Sequence, residues 1–391
     1  MQFDFNWYST PLLFGFVQGW VYAIMFWVRG WRHERLSDRL FGFLLAALTF
    51  EIWEYMLGFA GIEILWRELE FFPRNFGFLV PPLAYFYLKS QLDADFRFSI
   101  KDLRHALPFL IYVIYHLAVF TAGPDFVQFW KQNYHFPLRL DWLDTILRFV
   151  SQGLYFFWAF QHFKRYRQWL PTQFSNTETI SFAWFQNFLW AFFIANVLGW
   201  AMTAIDFWWQ LDFWHDWWDE LFGSFLIYYL AISGFAQVQP RKIGFASAEN
   251  PEQSSASAAE AQPESSKEKS LRLSGADLEN WRRKLEKVMS EDKIYLDPEL
   301  NLADLAKRLG TNVSILSAVV NTGFGKNFND YVNEFRIEAV KRMLSDASSS
   351  HLSLLGIGLE CGFNSKSTFN RAFKKITGVV PGEWKGADAV V

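Results

Sequence analysis

The stretch CGFNSKSTFNRAFKK, Cys361 to Lys375, joins a Gly-Phe-Asn turn to a run with helical spacing. Lys366, Ser367, Asn370 and Arg371 fall on one face of that run, and Phe369 and Phe373 on the other. One face is apolar enough to join a core, and the other carries groups suited to a polar partner.

Working upstream, LSLLGIGLE supplies a preceding helix with Leu352, Leu355 and Leu359 inward. Gly356 and Gly358 lie within it, each costing about 1 kcal/mol relative to Ala, and close helix packing explains them. Cys361, just before the turn, reads as a small buried thiol. The same layout occurs earlier. NLADLAKRL has Leu302, Leu305 and Leu309 inward, Gly310-Thr311-Asn312 turns the chain, and a second helix buries Leu316 and Val320. A long helix from about Asn327 to Leu344 joins the two units, and an amphipathic helix precedes them after Gly275.

From about residue 290 to 386 this chain resembles the DNA-binding domain of AraC-type transcriptional regulators. LADLAKRLG, NFNDYVNEFRIEAVKRML and GFNSKSTFNRAFKKITGVVPGEWK carry the resemblance, with Gly378, Pro381 and Trp384 falling in order. It implies two helix-turn-helix units that enter successive major-groove segments of double-stranded DNA. Lys366 and Arg371 suit phosphate or guanine, and Asn370 suits adenine. Ser367 and Lys374 complete that candidate face. Residues 347–386 carry a net charge of +3 and residues 297–346 a net charge of −1. The first recognition helix offers only Ser314, Ser317, Ala318 and Asn321, so its grip on DNA is expected to be weak and a homodimer is expected on DNA.

The rest of the chain is chemically different. Of 20 Trp in 391 residues, 18 precede residue 245, and the overall charge of −3 conceals the basic C-terminal patch. Seven apolar stretches approach the roughly 20 residues a helix needs to cross a bilayer. They run from about Pro11 to Val28, Leu40 to Phe59, Phe76 to Leu92, Ala106 to Gly123, Leu143 to Phe163, Phe182 to Phe207 and Asp219 to Val238. Pro81-Pro82 is expected to kink or break the third. No basic region precedes the first and no small-residue cleavage site follows it, so it is expected to remain as an anchor. Loops on one side of this layout hold 13 Lys or Arg and those on the other hold 4. The expected location is therefore a bacterial cytoplasmic (inner) membrane, multi-pass, with the N-terminus outside and the C-terminal domain in the cytoplasm.

The expected fold class is all-α, in three parts: a seven-helix transmembrane sensor bundle over 1–242, a flexible linker over 243–274 rich in Ser, Ala, Glu and Pro, and an AraC-like DNA-binding domain over 275–391. Charge inside a span is expensive and marks candidate sensing residues, here Glu51, Glu54, His116, Arg148 and Asp206. The Trp-rich, acidic run Asp206–Glu220 reads first as an aromatic belt at the outer interface, and second as a mouth for a cationic or sugar-like ligand.

One cysteine excludes an intrachain disulfide and any Cys-based metal cluster. HExxH, Walker A and GxSxG patterns are missing, so no enzyme, cofactor or metal is expected. The expectation is a membrane-embedded, one-component transcription regulator whose partners are double-stranded DNA, the lipid bilayer and an unknown small-molecule or protein signal. The alternative is a membrane transporter or scaffold with a fused DNA-binding domain.

Overall fold

A computed structural model describes residues 3–93, 96–176, 182–236, 275–349 and 351–384. The expected linker, 243–274, lies outside the described residues, as do Val238 and Lys385. The described structure is helical, with fifteen α-helices and one isolated β-bridge. The chain divides into two compact units, one formed by residues 1–163 and 182–251, the other by 164–181 and 252–391.

The first unit contains α1 (Ser9–Arg32), α2 (Leu36–Phe59), α3 (Ile64–Arg67), α4 (Val80–Leu92), α5 (Leu107–Thr121), α6 (Pro124–Trp130), most of α7 (Leu140–Gln173), α8 (Phe182–Trp209) and α9 (Trp217–Ala236). Gly15, Gly19 and Ala23 recur every four residues along α1 and are buried. A Cβ at Gly19 would lie 2.1 Å from Thr49 Oγ1 on α2, and one at Gly15 would lie 2.6 Å from Ser224 Oγ on α9. Small residues at this spacing let helix backbones approach closely. At the other end of α1, Arg29 donates to both carboxylate oxygens of Asp38 at 2.7 and 2.9 Å and to the Phe235 carbonyl at 3.2 Å. Asp38 is 1% exposed, so its charge is met inside the fold by that guanidinium.

The seven expected spans do not all appear as long apolar helices. Among the described residues, four helical stretches are long and apolar enough to cross a membrane: Ser9–Arg32, Leu36–Phe59, Ile100–Thr121 and Trp184–Trp209. Helix α4 has 13 residues and a length of about 20 Å, short of the roughly 30 Å hydrocarbon core. Its prolines do not break it. Pro81 and Pro82 lie in the first turn, where a missing N–H costs nothing. Helix α7 carries charge along its length, including Arg148, Lys164, Arg165 and Arg167.

The second unit contains α10 (Gly275–Ser290), α11 (Leu302–Arg308), α12 (Val313–Ala318), α13 (Phe328–Ser345), α14 (Leu354–Glu360) and α15 (Lys366–Thr377). Side-chain caps set the starts of five of these helices. Asn301, Asn312, Asn327, Ser353 and Ser365 each accept a backbone N–H three residues on, satisfying a donor that the first turn leaves free. The core gathers Leu285, Leu305, Leu316, Val332, Ile337 and Phe373 around α13.

One expectation within this core fails. Leu359 is 47% exposed, and the inward residues of α14 are Ile357 and Gly358. Capping by Ser353 starts the helix late, and the inward stripe then runs from Ile357 to Cys361. Gly358 does serve close packing, since a Cβ there would lie 2.9 Å from the Phe369 ring.

Candidate functional site

Each helix-turn-helix unit is turned by a glycine in the left-handed region, Gly310 at φ 65° and Gly362 at φ 90°. A Cβ at Gly362 would also fall 2.4 Å from the Tyr295 carbonyl oxygen. Beyond that turn α15 buries Thr368, Phe369, Ala372 and Phe373 and exposes Lys366, Ser367, Arg371 and Lys374. Asn370 is half-buried on the same helix. Among the described residues Lys366 and Lys374 make no ion pair, while Lys375 is held by Asp330 of α13 at 2.6 Å. Two exposed lysines beside an arginine form a surface suited to phosphate oxygens.

The corresponding face of the first helix-turn-helix is short and uncharged. Ser314 and Asn321 are exposed, and Ser317 and Ala318 are half-buried. Helix α12 ends at Ala318, so Asn321 sits in the π-turn Val319–Gly323, where its side-chain amide donates to Ser317 Oγ at 3.2 Å. The structure thus gathers the nine sequence-derived candidates onto α15, α12 and that turn.

Residues 305–387 match the family model described as a helix-turn-helix domain. An uncharacterized HTH-type transcriptional regulator of Bacillus subtilis (strain 168) is 28% identical over 89 residues, which are 23% of this chain and 11% of that protein. Another, from Staphylococcus aureus (strain COL), is 28% identical over 103 residues, 26% of this chain and 13% of that protein. The chain thus covers little more than a tenth of the length of these relatives. No solved structure matches it significantly.

Two buried groups organise the helix-turn-helix domain. Cys361 is 1% exposed, with Sγ 3.5 Å from Met343 Sδ, and burial pushes its thiol up to about 11. It fills space between α14 and α13 and stays protonated. Arg336, fully buried on α13, donates to the carbonyls of Tyr295 and Asp297, each at 2.7 Å, and to Ser175 Oγ at 3.1 Å. Burial draws its guanidinium down to about 10. No local pattern in the sequence reveals its partners, which lie up to 161 positions away.

In the first unit, Glu51, Glu54 and Arg148 line one cavity of about 470 Å³, together with Arg74, Asn196 and Glu220. Glu54 pairs with Arg74 at 2.6 Å, and Glu51 accepts the Phe76 backbone N–H at 2.6 Å. Arg148 pairs with Asp144 at 3.0 Å. The Oδ1 of Asn196 is buried without a hydrogen-bond partner, as is Arg148 Nε. His116 lines a neighbouring cavity that shares Glu54 and Arg148. Its ring lies 4.1 Å from that of Tyr112. Asp206 is exposed and lines neither cavity. Sequence reasoning missed Arg74 and Glu220, which lie in a loop and in the first turn of α9, and Asn196, a single amide in the middle of the apolar helix α8. Among the described residues no group of His, Cys, Asp and Glu could hold a metal ion.

Proposed function

We propose that this protein is a membrane-embedded, one-component transcription regulator of the AraC type. The second unit binds promoter DNA, and the first receives the signal. One observation carries the reading: a chain whose C-terminal part matches a helix-turn-helix domain, with Lys366, Arg371 and Lys374 exposed on its last long helix, also contains four helices apolar enough to cross a bilayer. Similarity to proteins named transcriptional regulators supports the DNA-binding role.

In this reading α15 supplies most of the base and phosphate contacts through Lys366, Ser367, Asn370, Arg371 and Lys374. The uncharged Ser314, Ser317, Ala318 and Asn321 add a weaker second contact, and a second copy of the chain makes up the affinity. Large apolar side chains face outward from the first unit, among them Phe14 at 62%, Ile111 at 59%, Ile114 at 66% and Phe225 at 63% exposure. A surface of that kind suits lipid. We assign the seven helices α1, α2, α4, α5, α7, α8 and α9 to the membrane, with the N-terminus outside and the C-terminal domain in the cytoplasm. The cavity bordered by Glu51, Glu54 and Arg148 is the place for a signal, which acts by binding one arrangement of the protein better than another.

Topology tests the reading. Reporter fusions at Gly123 and Asp216 are expected outside, and those at Ser37, Arg167 and Glu264 in the cytoplasm. A C-terminal domain outside the cytoplasm would end it, because DNA would be out of reach.

A further inference from the structure

The residues that follow α7 belong to the second unit, where they form a short recognised segment. Phe174 makes an antiparallel bridge with Asn301, and the Ser175 N–H donates to the Leu300 carbonyl at 3.2 Å. Ser175 Oγ donates to the same carbonyl at 2.6 Å and accepts from Arg336 Nη2 at 3.1 Å. The Ser175 carbonyl receives Asn329 Nδ2 at 2.8 Å and Arg336 Nη1 at 3.4 Å. Ser175 and Arg336 are each 0% exposed. The main chain is thus read as an added strand is read, by backbone hydrogen bonds, and the buried hydroxyl fixes the register.

This contact answers a chemical need. No carboxylate hydrogen-bonds Arg336 among the described residues, so oxygens of Tyr295, Asp297, Asn333 and Ser175 take the place of a counter-ion. A buried cation whose donors lose their acceptors is strongly unfavourable. Without Ser175, Nη1 keeps only the 3.5 Å contact with Asn333 Oδ1. Arg336 lies on α13, the helix that joins the two helix-turn-helix units and that holds α15 through Asp330 and Lys375. The position of α13 sets the separation of α12 and α15, which must match the groove spacing of the duplex.

Helix α7 ends at Gln173, directly before this segment, and its earlier turns carry Thr145, Arg148, Gln152 and Tyr155, which line the cavity of the first unit. We propose that residues 174–176 are an intramolecular docking segment for the helix-turn-helix domain, and that their engagement by Arg336 and Asn329 is how a signal received along α7 alters DNA binding. The inference rests on the function proposed above for its consequence on DNA, but not for the docking itself. Lys366, Ser367 and Arg371 stay exposed while the segment is docked, so the docked arrangement is the one that binds DNA.

The test uses the full-length protein in native membranes. In a Cys361→Ser background, Phe174→Cys with Asn301→Cys joins positions that oppose each other across the bridge, and Phe174→Cys with His351→Cys serves as control. Oxidation is expected to give near-complete disulfide in the first pair and little in the second, and the locked protein should retain the DNA recovered with wild type at unchanged affinity. Ser175→Ala combined with Asn329→Ala is expected to weaken that binding at least tenfold. Equal disulfide yield in both pairs would show that the segment is not docked. Loss of DNA binding on locking, or unchanged binding by the double variant, would overturn the assigned role. Wild-type protein that binds no DNA would refute the regulator reading, while the disulfide yield would still report on docking.

Discussion

Arg336 and Ser175 are 161 positions apart in the chain, yet Arg336 Nη2 donates to Ser175 Oγ at 3.1 Å inside the core of the second unit. Arg336→Met keeps the volume and removes the donors, leaving the carbonyls of Tyr295 and Asp297 without them. The expected cost is about 2–4 kcal/mol, and that of Ser175→Ala about 1–3 kcal/mol. Because the two share a bond, the double variant should cost less than the sum, by about 0.5–3 kcal/mol. Protease susceptibility of the second unit against urea measures all three. Strict additivity would mean that the bond contributes nothing.

Cys361 gives a test in solution chemistry. A thiol held at about 11, against an ordinary value of 9.0, has about 100-fold less thiolate at neutral pH. Raising the pH through 11 restores the reactive form, so alkylation should be slow near pH 7 and rise steeply above the usual thiol range. Iodoacetamide labelling should become fast at neutral pH once urea unfolds the domain. Rapid labelling of the folded protein would contradict the buried position.

Two glycines with similar φ separate backbone strain from lack of space. At Gly378, φ 83°, an added Cβ meets nothing within 4 Å, whereas at Gly362, φ 90°, it meets the Tyr295 carbonyl oxygen at 2.4 Å. Gly378→Ala is expected to cost about 1–2 kcal/mol for the left-handed conformation alone. Gly362→Ala should cost clearly more, because backbone must also move. Thermal unfolding of the two variants gives the order, and equal losses would refute the tight approach.

The two recognition faces are expected to differ in energy. Arg371→Ala should weaken specific DNA binding by about 1–3 kcal/mol, and Lys374→Ala should weaken all sequences alike and lower the salt slope by about 1. Ser314→Ala should change little, since it removes no charge. Titrations at two salt concentrations distinguish these outcomes, and a larger loss at Ser314 than at Arg371 would reverse the assignment.

What could be read from the sequence follows from how local each signal is. Turn glycines and the apolar spacing of Phe369 and Phe373 act within a few residues, and the structure bears them out. Leu359 was misread because a leucine four residues after another fits an inward stripe until the Ser353 cap fixes where the helix begins. Of the seven apolar stretches, four are, among the described residues, helices long and apolar enough to cross a bilayer, and Pro81-Pro82 in the first turn of α4 leave it 13 residues long. Glu51, Glu54 and Arg148 were legible as charges within apolar runs, and they do share a cavity. Arg74 and Glu220 were not, nor was the docking of Ser175, because no periodicity records a contact made across 161 residues.

Mapping, across the genome, the DNA crosslinked to the full-length protein in its native membrane tests the central claim most directly. The account predicts a small set of discrete sites, enriched with the wild-type protein and lost with Arg371→Ala. Uniform recovery of DNA, or the same sites with both proteins, would contradict it.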